Sequence, residues 1–176
     1  MIKDFSDAFD IGKTSGKAVK KKDYSTEGKF PVVDQGEEFI GGFTNDPSLV
    51  INPKKPVIIF GDHTRRLKYI DFPFVPGADG TKILIPKDDL IPKFAFYQLQ
   101  SIDLRERGYA RHFSELRKSS IWVPKSSEQE EIIEFIEDLY SKLRTAEEEA
   151  EKVILNTSLF RRSMLHQSFF RRREEN

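Results

Sequence analysis

Two short stretches of this chain have the ingredients of catalytic motifs, and neither has the required spacing. Gly12-Lys-Thr-Ser-Gly16-Lys17-Ala18 looks like a phosphate-cradling loop. Such a loop needs four residues between its glycines, then Lys and Ser or Thr, so that amides and ammonium converge on phosphate oxygens. Here three residues intervene, Ala18 follows the lysine, and no apolar strand leads in. A nucleoside triphosphate site is therefore not expected. Asp62 and His63 are adjacent and could supply a metal ligand or a general base. A metal site needs three or four ligands, yet the chain has only 3 His, one of them His166 near the C-terminus. A polar hairpin tip is the simpler reading. Glu27-Gly-Lys29 matches the tail of an acid-x-Lys nuclease signature without its preceding Asp. No Asn-Pro-Pro-aromatic motif or Gly-rich methyl-donor loop occurs. With Cys 0, disulfides, thiolate metal sites and Cys nucleophiles are excluded, which fits a reducing cytoplasm.

What remains is binding chemistry. Basic residues gather where turns are expected. Lys13, Lys17 and Lys20, Lys21, Lys22 lie in a Gly/Ser-rich stretch, and Arg65, Arg66 and Lys68 lie at or beside the hairpin tip with Asp62, His63 and Thr64. Arg105, Arg107, Arg111, His112 and Lys118 surround Gly108-Tyr109. Lysine and arginine neutralise phosphates, and arginine can also grip guanine with two donors in the major groove. Tyr109 and Phe113 could stack on a base or belong to the core. Each cluster alone is more often a solvated face; three on one small domain favour binding. Net charge is +0, but it is split. Residues 1–126 hold 21 Lys/Arg against 17 Asp/Glu, and residues 127–176 hold 8 against 12, so a mildly basic head precedes an acidic handle.

The elements that must position these residues fall into two regimes. All 10 Gly and 9 Pro precede residue 125. Within that head, Val57–Phe60 and Leu67–Ile70 read as a hairpin around Gly61–Arg66. Phe30–Val33, Phe72–Val75, Ile83–Ile85 and Ile121–Val123 read as further strands, with a Gly77-Ala-Asp-Gly80 turn. Pro92 suits a first helical position, predicting a helix through Ile102. After Pro124 comes one long helix from about 127 to 170, with Ser127 and Glu130 spaced as a capping box. At 1.5 Å per residue it would run about 65 Å. Its apolar stripe is Ile132, Ile136, Leu139, Leu143, Ala146, Ala150, Val153, Thr157, Phe160 and Met164. Steps of four and three place these on one coiled-coil seam. The seam is too long for the head to cover and calls for a partner helix. The fold class is thus α+β: a small mixed globular domain over 1–125, a long coiled-coil helix over 126–170, and a frayed basic tail over 171–176. No stretch approaches the roughly 18 apolar residues of a membrane span, and MIKDFSDAFD lacks the features of a signal peptide.

The order of these segments resembles one family. Phe30-Pro-Val-Val-Asp-Gln-Gly36, Ile40-Gly-Gly-Phe-Thr44, Val57-Ile-Ile-Phe-Gly-Asp-His-Thr-Arg65, Tyr69-Ile-Asp-Phe72 and Gly77-Ala-Asp-Gly-Thr81 occur in turn. Arg107-Gly-Tyr-Ala-Arg-His-Phe113 and Ile121-Trp-Val-Pro124 follow, then the long helix. Together they resemble a target recognition domain and conserved helix of the DNA specificity subunits of type I restriction–modification systems. The resemblance covers nearly the whole chain. It implies sequence reading without catalysis. It also implies double-stranded DNA as ligand and methyltransferase subunits that bind around the spacer and carry S-adenosylmethionine. A translocating nuclease (restriction) subunit can join them. Full-length members have two recognition domains held apart by two antiparallel helices.

With one head and one helix, this chain corresponds to half that length. Two copies pairing their helices antiparallel would restore two heads about a two-fold axis and read an interrupted palindrome. Pairing with another specificity subunit is the alternative. Among the site residues, Arg65 and Arg66 are expected to read bases and Lys20–Lys22 to contact phosphate. The competing function is a coiled-coil assembly or regulatory protein whose head binds protein; a nuclease with a scattered active site is a third. Seam pairing is tested directly: Leu139→Glu with Leu143→Glu should give monomers by analytical ultracentrifugation, since each buried leucine contributes about 1.5–3 kcal/mol. An unchanged oligomer would sink the seam.

Overall fold

The segment Val57-Ile-Ile-Phe-Gly61 is apolar throughout, and every one of its residues is buried. In the computed structural model, which describes residues 1–14, 16–104 and 111–170, this segment forms strand β5 at the centre of the head. The strands before it are β1 (Ile2–Asp4), β2 (Phe9–Gly12), β3 (Phe30–Val33) and β4 (Gly42–Thr44), with a one-turn helix α1 (Phe5–Ala8) between β1 and β2. After it come β6 (Leu67–Ile70), β7 (Val75–Pro76) and β8 (Thr81–Pro86), then helices α2 (Pro92–Ser101) and α3 (Phe113–Leu116) and strand β9 (Ser120–Trp122). The last element is α4 (Ser126–Phe170). The expected α+β class and long final helix are both present.

A four-stranded sheet in the order β2-β8-β5-β6 carries the head. Its pairs are antiparallel, with Val57 opposite Ile70 and Ile59 opposite both Lys68 and Ile83. Alternation then sends Val57, Ile59, Ile70 and Ile83 to one face. There they pack with Val33 and Phe74 in a continuous core. Ile58, Phe60, Tyr69 and Leu84 take the other face, against α2; the Tyr69 and Phe96 rings meet edge-on, with centroids 5.8 Å apart. A three-stranded sheet β4-β3-β7, in which β3 and β7 run parallel, lies beside the first face. A third, two-stranded sheet pairs β1 with β9 and places Ile2 opposite Trp122.

Two details differ from the sequence reading. Phe72–Val75 is not a strand of the length expected; β7 begins at Val75, and Phe74 instead exchanges backbone bonds of 2.7 and 3.0 Å with Ile51. The capping box also fails in position. Helix α4 starts at Ser126, so Ser127 is its second residue and cannot serve as the residue before the first turn. The first turn is held from the inside by Gln129. This side chain is fully buried. Its amide oxygen accepts from Ile91 N at 2.8 Å, and its amide nitrogen donates to the carbonyls of Asp89 at 2.9 Å and Pro124 at 3.0 Å. One side chain thus ties the root of α4 to the residues that start α2.

The chain divides into two compact units, Met1–Ile132 and a second that begins at Ile133. The first contains the root of α4; the second is its remaining length. Gln129→Leu keeps the volume but strands one buried amide and two carbonyls. The penalty per orphaned buried group is about 1–3 kcal/mol. We expect a fall of roughly 3 kcal/mol in head stability by urea unfolding; a change under about 0.5 kcal/mol would show that the plug is dispensable.

Candidate functional site

Asp34 and Gln35 follow β3 directly, and the segments around them converge on these two side chains. The Asp34 carboxylate accepts from Gly36 N at 2.8 Å, a local turn bond, and from the Tyr24 hydroxyl at 3.2 Å. Its other partner is the Lys68 ammonium at 3.7 Å, both side chains being almost wholly buried. Lys68 also donates to Glu38 O at 2.6 Å. Burial pushes the Lys68 pKa down, and the charge of Asp34 opposes that shift. Burial, then the Asp34 charge, pushes the Tyr24 phenol above its ordinary range. Gln35 faces the hairpin tip. Its amide nitrogen donates to Asp79 O at 2.8 Å, its amide oxygen accepts from His63 N at 3.0 Å, and its backbone carbonyl accepts from the Thr64 hydroxyl at 2.7 Å.

The glycines of the converging segments answer to this crowding. A Cβ on Gly61 would stand 2.2 Å from Thr64 Oγ1 and 2.8 Å from Gln35 Cβ. One on Gly77 would meet Asp34 Cβ at 2.3 Å. The motif segments Asp34–Gly36, Gly61–Arg65 and Gly77–Thr81 are therefore one interlocked hub. The sequence places them far apart and does not reveal that they touch.

The hairpin tip bonds to Gly80, Leu104, His112 and Phe113. Gly61 N donates to Arg66 O at 2.9 Å, closing a four-residue loop, and Asp62 N donates to Gly80 O at 2.8 Å. Asp62 is buried, and its carboxylate accepts from Phe113 N at 2.9 Å while its carbonyl accepts from His112 N at 2.9 Å. Arg65 sits in the left-handed region at φ 59°, and its guanidinium donates to Leu104 O at 2.8 Å. Arg66 is exposed, with Glu37 at 3.3 Å.

Of the residues expected to contact a ligand, the structure places Lys13, Lys20, Lys21, Lys22, Thr64, Arg66 and Arg111 at the surface. His63 and Arg65 are half-buried. Asp62, Lys68 and His112 are buried and hold the hub together instead of facing solvent. The Lys17 ammonium is turned onto the carbonyls of Ser48 at 2.8 Å and Val50 at 3.2 Å. Arg107 and Tyr109 lie outside the described residues, as do Arg105 and the tail 171–176. The lysine loop and the hairpin tip share one support: Val19 N donates to Pro76 O at 3.0 Å and Ala78 N to Val19 O at 2.6 Å. The same turn meets Gln35 and Asp62 through Asp79 and Gly80. Beside Val19, Lys20 and Lys22 border an open groove of about 450 Å³ with Thr44, Asp46 and Leu49. Sequence reasoning missed Asp34, Gln35 and Leu104. An Asp-Gln-Gly directly after a buried strand was the available sign for the first two, as a polar turn that must find partners. Leu104 contributes only a carbonyl, which no residue type announces.

Among the described residues no three His, Asp or Glu side chains converge as a metal site. No described helix is long and apolar enough to cross a membrane. Along α4, Leu139, Leu143, Val153, Phe160 and Met164 of the seam are exposed, whereas Ile132 and Ile136, near the root, are half-buried. Phe135, Ile154, Leu155, Leu159, Leu165 and Phe169 are exposed as well. The apolar surface beyond Lys152 is therefore wider than a single seam.

Residues 2–155 match the type I restriction modification DNA specificity domain. The specificity subunit of the type I restriction enzyme EcoR124I/EcoR124II of Escherichia coli is 36% identical over 87 residues, which is 48% of this chain and 22% of that protein. In fold, the chain is similar to one solved for complex assembly and conformational transition of a type I R-M system, with a TM-score of 0.74 at 17% identity, covering 96% of this chain and 45% of that one. The S subunit of M. genitalium gives 0.62 at 22% identity, over 82% of this chain and 40% of that chain. The chain thus spans less than half the length of each. With nearly nine-tenths of its residues inside the matched region, it belongs to the family of type I restriction–modification DNA specificity domains.

Proposed function

We propose that this chain is a non-catalytic, sequence-reading subunit of a type I methyltransferase or restriction complex, with double-stranded DNA as its ligand. The observation that carries this reading is a shared support. The exposed lysines 20–22 and the exposed Arg66 stand on loops held by one hub, beside a turn that touches both. A duplex is a rigid array of phosphates, and a rigid set of cations matches it at low ordering cost. In this reading Lys20, Lys21 and Lys22 contact phosphate, while Arg66 and Arg111 reach towards base edges. The protein performs no chemistry; S-adenosylmethionine enters on a partner methyltransferase subunit. The setting is the cytoplasm, where chromosome and incoming DNA are both accessible.

Helix α4 pairs antiparallel with the α4 of a second copy, holding two identical heads apart so that they read a split palindrome. The exposed seam supports the pairing. The polar waist Glu147–Glu149, bounded by Ala146 and Ala150, allows close approach at the midpoint. The wider apolar belt from Val153 to Phe169 supports more than one helical neighbour, because a helix apolar on most of its circumference needs covering on most of it. Methyltransferase subunits packed around the paired helices, with a restriction subunit joining them, would cover that belt. The competing reading, an assembly protein whose head binds protein, gains no specific support from the head's surface.

Two measurements test this. Triple substitution of Lys20, Lys21 and Lys22 by alanine should weaken binding uniformly across duplex sequences. It should also flatten the plot of log affinity against log salt by about 0.9 for each lysine that touches phosphate. Binding of unaltered protein that ignores salt would reject the DNA reading. Co-expression with the adjacent methyltransferase subunit and genome-wide mapping of methylated bases should return a split symmetric motif. An asymmetric motif would replace the homodimer with pairing to a different specificity subunit.

A further inference from the structure

The loop that follows β3 runs beside the hairpin from its tip into β6, and a series of contacts marks its course. The Gln35 amide oxygen accepts from His63 N at 3.0 Å, and its backbone carbonyl accepts from the Thr64 hydroxyl at 2.7 Å. Glu37 Oε1 stands 3.3 Å from Arg66 Nη2. The Glu38 carbonyl accepts from the Lys68 ammonium at 2.6 Å. We propose that Glu37 is a positioning residue for Arg66. It keeps the guanidinium off phosphate and presents it to the uncharged acceptors of a guanine in the major groove. This inference rests on the reading of the head as a DNA binder and deepens it by naming a base and the residue that selects it.

Three observations carry it. First, both side chains of the pair are exposed, Arg66 at 45% and Glu37 at 79%. Exposed ion pairs contribute little to stability, so the fold of the head does not depend on this one. Second, the backbone on either side of the pair is held although the tips are free. Gly36 N donates to the Asp34 carboxylate at 2.8 Å, Gly41 N donates to Val32 O at 2.9 Å, and Arg66 O accepts from Gly61 N at 2.9 Å. With Gln35 on Thr64 at one end and Glu38 on Lys68 at the other, the carboxylate is built in beside the arginine. Third, the donors and charges sort the possible ligands. A guanidinium has five N–H donors, so a contact at Nη2 leaves enough for guanine, which takes two at O6 and N7. Phosphate carries charge: Glu37 repels it and offsets the attraction of Arg66. Guanine O6 and N7 are uncharged and meet no such repulsion. A guanidinium already steadied by a neighbour also loses less freedom on binding.

An inert surface pair, a phosphate contact and a guarded base reader respond differently when Glu37 loses its charge. Glu37→Gln keeps the size of the side chain and an acceptor for Arg66 but removes the repulsion. An inert pair would leave base preference and salt dependence as they were. An arginine already on phosphate would keep the same salt slope. A guarded arginine, once freed, gains a phosphate, and the plot of log affinity against log salt steepens by about 0.9. Non-specific affinity then rises while selectivity falls, a combination that damage to the fold does not produce.

The test uses the full chain with Glu37→Gln, with Arg66→Ala and with both. Each protein selects from a pool of randomised duplexes, which are then sequenced. Affinity for one unselected duplex is measured between about 50 and 200 mM salt. For Glu37→Gln we expect a slope steeper by about 0.9, so that a fourfold fall in salt tightens binding about 3.5-fold more than in the unaltered chain. Preference for guanine at one base pair should fall about threefold or more, as for a side chain that must now be ordered on binding. Arg66→Ala should abolish preference at that same base pair, and adding Glu37→Gln to it should change neither slope nor preference further. An unchanged slope or preference in Glu37→Gln would overturn the inference. So would a loss at a base pair that Arg66→Ala leaves alone, a base other than guanine at the Arg66 position, or an effect that persists without Arg66. If the unaltered chain selects no motif, the DNA reading falls and takes the inference with it; a motif that survives Glu37→Gln intact sinks the inference alone.

Discussion

The head is organised around the buried pair of Asp34 and Lys68. Two opposite charges removed from water stay stable only if their remaining hydrogen-bonding capacity is met, and losing either partner leaves a bare charge at a cost of about 3–5 kcal/mol. Gly36 N, the Tyr24 hydroxyl and Glu38 O meet that demand here. Gly36 and Glu38 lie in the loop that begins at Asp34, Tyr24 precedes β3 and Lys68 lies on β6, so satisfying the pair ties three stretches of chain together. Gln35 extends the same logic one residue further, towards His63, Thr64 and Asp79. The short strands β3, β6 and β7 have little area of their own to hold a rigid surface, and the polar hub supplies what their apolar contacts cannot.

That arrangement sorts the charged residues of the head into two kinds. Lys17, Lys68 and Asp62 are spent inward, on carbonyls, a carboxylate and backbone amides. Lys20, Lys21, Lys22, Arg66 and Arg111 remain outward. A mildly basic composition counts both kinds equally, but a cation spent inward is not available to a duplex. Surface cations on independent flexible loops would have to be ordered on binding. Loops that share the Gly77–Gly80 turn have their backbones held in place already, which in the proposed function lowers that ordering cost.

Helix α4 imposes the complementary constraint. Gln129 fixes its root to the head through three hydrogen bonds, whereas Leu139, Leu143, Phe160 and Met164 show apolar surface to solvent in the single chain. Apolar surface of that length is stable only when covered. In the proposed assembly, the broadening of the belt from Val153 to Phe169 is met by coverage from more than one direction. A head that reads and a helix that must be met by others are the two halves of the proposed function, and they depend on different physics: polar satisfaction in one, apolar burial in the other.

Much of this was written in the order of residues. The run Val57–Phe60, Pro92 before an apolar stretch, and the absence of Gly and Pro after Pro124 defined the central strand, α2 and the long helix, because periodicity and backbone restriction act locally. The motif string from Phe30 to Pro124 pointed to the family. What only the tertiary structure decided was which polar residues face which way. Lys68 follows the pleat of β6 inward to Asp34; Arg65 and Arg66 are neighbours in sequence, yet a left-handed turn sends one to the Leu104 carbonyl and leaves the other at the surface. The bonds that settle these directions join residues 28 to 51 positions apart, and many end on backbone atoms. No side-chain pattern encodes a carbonyl's position, so that part of the site came from the fold alone.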